Sequence, residues 1–106
     1  MNSPKLISSV QIEVPDQKLA TFCREHHIRK LALFGSVLRE DFGPESDIDI
    51  LVEFEPEIPI GLLAFARTQR KLSELFQRPV DLVTPAGLKP LIKDAVLSSA
   101  RVIYAN

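Results

Sequence analysis

The chain has 106 residues, thirteen Lys or Arg against fourteen Asp or Glu, a formal net charge of −1, and 45% hydrophobic residues. That length and composition suit one globular domain with a single sheet and a few helices, leaving little room for a separate acceptor-binding domain. No apolar run reaches the roughly eighteen residues of a membrane span, the lack of a basic excess argues against direct nucleic-acid binding, and a lone cysteine, Cys23, excludes an intrachain disulfide and fits a reducing cytoplasm.

Val10, Ile12 and Val14 alternate with Gln11 and Glu13, a strand-like pattern too brief to define an element. Residues 1–14 are therefore read as a loosely held arm. Pro15-Asp16 opens a helix, since Pro is tolerated in a first turn. Leu19, Phe22, Cys23 and His26 follow at helical spacing through about residue 27. Adjacent histidines on a helix point about 100° apart, so His26 and His27 read as a helix end rather than a chelating pair. Cys23 reads as a small core residue.

Leu31 to Phe34 is an apolar run bounded by Gly35 and reads as a first strand. Ser36 to Asp41 forms a short helix or turn, broken by Gly43-Pro44. Ile48 to Phe54 is a second strand, ended by Pro56 and Pro59. Residues 60–77 make the longest helix, with Leu62, Phe65, Ala66, Leu72, Leu75 and Phe76 as its apolar face and Arg67, Arg70, Lys71 and Glu74 toward water. Residues 79–83 read as a third strand, and residues 88–98 as a last helix with Leu91, Ile92, Ala95 and Val96 as its stripe. Residues 101–104 close the chain as a fourth strand.

The fold class is thus α/β: a mixed three- to four-stranded sheet with helices packed on it. The first two strands are joined by a short compact segment and should be antiparallel neighbours. The second and third are joined by a long helix, which suits a right-handed parallel crossover. That topology lays Asp81, early in the third strand, level with Asp47 and Asp49.

The chemistry concentrates between residues 31 and 54. An apolar run ends in Gly35-Ser36, ten residues follow (Val37 to Ser46), and Asp47-Ile48-Asp49 opens the next apolar run. Carboxylates at i and i+2 of a strand share a face. Held close they repel, and a hard cation relieves the repulsion. Mg²⁺ keeps several waters and completes its shell with substrate phosphates, so the pair beside a Gly-Ser turn suggests a metal–nucleotide site. Gly35 lets backbone approach a phosphate, and Ser36 and nearby amides can donate to it. Arg39 is either a second phosphate contact or a surface arginine paired with Glu40 or Asp41. Ser46 orients Asp47 or caps a turn.

Gly35-Ser36 with Asp47-x-Asp49 resembles the signature of the polymerase-β-like nucleotidyltransferase superfamily. The likeness runs from about residue 31 to residue 83, and the small size is similar to the minimal nucleotidyltransferase (MNT) family, whose members are often antitoxins paired with HEPN-domain toxins. The resemblance implies two-metal nucleotidyl transfer. Asp47, Asp49 and Asp81 would be the catalytic Mg²⁺ ligands, and Gly35 and Ser36, with Arg39 as a candidate, would grip the phosphates of ATP. Relatives often carry Arg or Tyr after Gly-Ser, where this chain has Val37, so the group that offsets the triphosphate charge is open. The implied acceptor is a tyrosine hydroxyl on a partner HEPN ribonuclease toxin, inactivated by AMP transfer. Two alternatives stand beside it: an antitoxin that neutralises by binding alone, and adenylylation of a small molecule, which the missing acceptor domain disfavours. Apolar residues near Ile58–Leu63 and at the C-terminus are candidate partner contacts.

Overall fold

The computed structural model describes residues 5–6, 13–38 and 46–106. Strands β1 (Lys5–Leu6) and β2 (Glu13–Val14) pair antiparallel. Helix α1 (Asp16–Glu25), β3 (Ile28–Phe34), β4 (Ile48–Phe54), α2 (Leu62–Phe76), β5 (Val80–Val83), α3 (Pro90–Ser99) and β6 (Arg101–Ala105) follow in order. The main sheet runs β5-β4-β3-β6. β3 is antiparallel to β4 and β6, and β4 is parallel to β5 through the α2 crossover. The expected α/β class and mixed four-stranded sheet are what the chain forms. Of the arm, Val14 is fully buried, while Val10 and Ile12 lie outside the described residues.

Period-two alternation divides the sheet into two unlike faces. Leu31 and Leu33 of β3, Ile48, Ile50 and Val52 of β4, and Val80 and Leu82 of β5 point to one side. There they bury against Leu19, Phe22 and Cys23 of α1 and Leu72 of α2. Each such Leu or Ile withdrawn from water contributes about 1.5–3 kcal/mol, so this face carries most of the stability. On the other side Ala32, Leu51 and Leu88 form a smaller cluster, joined by Phe34, Val83 and Val96.

The helix ends have local causes. Asp16 sits in the first turn of α1, where a carboxylate opposes the positive end of the helix dipole. At the other end the His26 ring stacks on Phe22 with centroids 4.0 Å apart, and its Nδ1 lies 2.9 Å from the Phe22 carbonyl oxygen. His27 then takes φ 59°, and β3 begins at Ile28, three residues before the apolar run that marks it in the sequence. The histidine pair is a helix terminus, as the sequence suggests. Helix α2 stops at Gln77, which adopts a left-handed φ of 56° just ahead of Pro79.

Two helix faces differ from expectation. In α2, Leu72 is buried and Phe65, Leu75 and Phe76 pack on the core, but Leu62 is 89% exposed and Ala66 is also exposed. The buried position beside Leu72 is polar: Thr68, whose hydroxyl donates to the Ala64 carbonyl at 2.8 Å. The apolar period of α2 thus includes a first turn whose Leu62 and Leu63 stay open to solvent. In α3, Leu91 is 98% exposed and Ile92 and Ala95 are open to solvent, leaving Val96 as the stripe residue that packs on the sheet. Helix α3 meets the small cluster of Ala32, Leu51 and Leu88 through Val96, and the rest of its expected stripe stays open. No described helix is long and apolar enough to cross a membrane.

Candidate active site

Three residues form a row across the open face of the sheet. Phe34 at the end of β3 pairs with Asp49 in β4, and Asp49 pairs with Asp81 in β5. Residues in register across neighbouring strands point to the same side, so both carboxylates project from the face that α1 and α2 leave uncovered. Asp49 is half-buried and Asp81 is exposed. Ile48, Ile50 and Leu82, the flanking residues, are buried on the opposite face, which fixes the direction of both aspartates.

Gly35 follows Phe34 with φ 74° and begins a single 3-10 turn through Leu38. A Cβ at this position would collide with the Asp49 carboxylate oxygen Oδ2 and stand 3.1 Å from its Cγ. The turn therefore packs directly on Asp49, and only glycine meets both the backbone angle and the space.

A cavity of about 680 Å³ opens beside this row. Gly35, Asp49, Asp81 and Lys89 line it with polar or small groups, while Phe34 and Ile92 are among its apolar walls. Lys89, which sequence reading missed, is the cation of that lining among the described residues. It is exposed and immediately precedes Pro90 of α3, and nothing in an isolated Lys-Pro signals that it lines the same cavity as Asp49 and Asp81.

The remaining candidates fall differently. Asp47 is exposed, precedes β4, and stands outside the cavity lining. Ser36 lies in the 3-10 turn. Arg39 is outside the described residues. Among the described residues no three His, Cys, Asp or Glu side chains gather closely enough to bind a metal unaided. The pair Asp49 and Asp81 does fit a Mg²⁺ ion: both supply hard oxygen donors on one side of the sheet, and the adjoining cavity leaves space for the water and phosphate ligands that Mg²⁺ prefers.

Comparison with known proteins identifies the family of the chain. The family model described as nucleotidyltransferase domain matches residues 16–103. The protein adenylyltransferase MntA of Thermococcus cleftensis is 43% identical over 77 residues, covering 73% of this chain and 74% of the relative. A crystal structure of a toxin-antitoxin with AMP-PNP superposes with TM-score 0.68 at 21% identity, over 88% of this chain and 75% of that one. A complex of tri-AMPylated Shewanella oneidensis HEPN toxin with MNT antitoxin gives TM-score 0.60 at 22% identity, over 86% and 70% of the two chains.

Proposed function

Because this chain belongs to the nucleotidyltransferase domain family, we propose that it transfers AMP from ATP to a tyrosine hydroxyl of a partner HEPN ribonuclease toxin and thereby inactivates it. The carrying observation is the register of Asp49 with Asp81 above a cavity whose rim is Gly35. The adenylyltransferase relative and the AMPylated toxin complex support the choice of group and acceptor.

Asp49 and Asp81 would hold Mg²⁺, which when bound neutralises phosphate charge and lowers the pKa of the acceptor hydroxyl, and Asp47, just ahead of β4, is a further candidate ligand. Gly35 clears the approach of the phosphates to backbone, with Ser36 and Arg39 as further phosphate contacts. Lys89 supplies positive charge on the cavity wall. Phe34 and Ile92 keep that wall apolar and limit water beside the reacting phosphate. The acceptor oxygen forms its bond to the α-phosphorus as the bond to pyrophosphate breaks, and the hydroxyl proton leaves to solvent. Binding and orientation are the tasks of this chain's residues. The compartment we infer is the cytoplasm, where ATP is at hand and a free Cys23 stays reduced.

Incubating the protein with Mg²⁺, ATP and the helical protein encoded beside it should raise the partner's mass by whole AMP units and abolish its ribonuclease activity. An unchanged mass with the toxin still active overturns the proposal. Exposure of Ile58, Leu62 and Leu63 favours a second reading, neutralisation by contact alone. Replacing both Asp47 and Asp49 by Asn separates the two: full neutralisation by that variant would establish contact as sufficient.

A further inference from the structure

Strand β5 lies at the edge of the sheet, so alternate backbone N–H groups turn away from β4 and need other partners. Helix α2 supplies them. The Leu82 N–H donates to Gln69 Oε1 at 2.9 Å, and the Val80 N–H donates to Ser73 Oγ at 3.0 Å. The Ser73 hydroxyl in turn donates to the Gln69 carbonyl at 3.0 Å, which fixes the direction of its lone pairs. Gln69 and Ser73 are one helical repeat apart, about 6 Å along the axis, and Val80 and Leu82 are about 6.6 Å apart along the strand. The two spacings match, so one helix face serves as a surrogate strand for the edge.

The residue between the two clamped amides is Asp81. Its side chain projects to the opposite face, into the cavity it shares with Asp49. A β5 held from one side only could shift along or away from β4, and such a shift moves Asp81 relative to Asp49. We propose that Gln69 and Ser73 are positioning residues that set the Asp49–Asp81 spacing through the β5 backbone, a role that rests on the transferase reading above. Neither side chain lines the cavity. Their effect reaches the site through two hydrogen bonds and one strand.

The test is Mn²⁺ binding followed by electron paramagnetic resonance with AMP-PNP present, run beside AMP transfer and thermal melting. Gln69→Met keeps the length of the side chain and removes the acceptor, and the Mn²⁺ concentration at half-saturation should rise on the order of tenfold. Gln69→Glu retains an accepting oxygen and should restore wild-type binding. Leu72→Val, a core change on the same helix, should lower the melting temperature and leave half-saturation within about twofold of wild type, since it disturbs neither bond. Wild-type binding by Gln69→Met, or an equal loss in Leu72→Val, overturns the inference. If Gln69→Met does not fold, Ser73→Ala is judged by the same titration and the same two outcomes. Wild-type protein that binds Mn²⁺ with AMP-PNP and transfers no AMP defeats the transferase reading alone. A wild type that binds no Mn²⁺ defeats both.

Discussion

Asp49 and Asp81 face the same side of the sheet from directly opposed positions on parallel strands. Two like charges in that relationship destabilise the strand pair, and removing one should relieve the fold while disabling the site. Asp81→Asn is expected to melt at or slightly above the wild-type temperature without metal. It should also lose the upward shift that Mg²⁺ with AMP-PNP gives the wild type, and AMP transfer should fall by about 100-fold or more. A metal-dependent shift of wild-type size in Asp81→Asn would remove this residue from the ligand set.

Gly35→Ala should be costly twice over. The methyl group collides with the Asp49 carboxylate, and φ 74° is unfavourable for alanine by roughly 1–2 kcal/mol. A fall of several degrees in melting temperature and loss of transfer are the expected outcome, with calorimetry and the AMP assay as the measurements. A Gly35→Ala protein with normal melting and normal transfer would show that the turn does not pack on Asp49.

Lys89→Gln should weaken nucleotide binding with little effect on folding, because the side chain is exposed on the cavity wall. KM for ATP is expected to rise about five- to tenfold, the scale of one charge-assisted contact of roughly 1–1.4 kcal/mol, with a smaller change in kcat. The difference from wild type should shrink as salt is raised. A fall in kcat at unchanged KM would assign Lys89 to the transition state instead.

Burial pushes the Cys23 thiol up to about 12 from an ordinary value of 9.0, against the neighbouring Arg24, which pulls it down. The folded chain therefore holds this proton more tightly than the unfolded chain. Its contribution to stability is complete below pH 9 and decays as pH rises from 9 toward about 12. Iodoacetamide labelling near pH 8 should proceed only as fast as the protein opens. Above pH 9, Cys23→Ala should lose stability less steeply than wild type in denaturant titrations. Rapid labelling under native conditions would contradict the buried thiol.

Much of this site is written in local sequence. The bounds of β4 follow from its apolar run, and the pairing of Asp49 with Asp81 follows from a helix long enough for a parallel crossover. The same i, i+2 logic carries less far for Asp47, because regular strand begins only at Ile48. Periodicity marks Leu62 and Leu91 as apolar but cannot say whether anything lies above them, and both are open to solvent. Thr68 and Gln69 look like ordinary polar helix residues. The burial of Thr68 and the Gln69 bond to β5 depend on how α2 docks, which no spacing in the chain encodes. Lys89 is hidden for the same reason: its place in the cavity lining arises from the route of the chain between β5 and α3.

The unequal coverage of the sheet separates what must be preserved from what can be revised. The interior closed by α1 and α2 tolerates little change in volume, whereas the outer turns of α3 meet the molecule's surroundings with few packing obligations. Exposed positions of that helix such as Leu91 and Leu97 can therefore change without disturbing the architecture behind the aspartates.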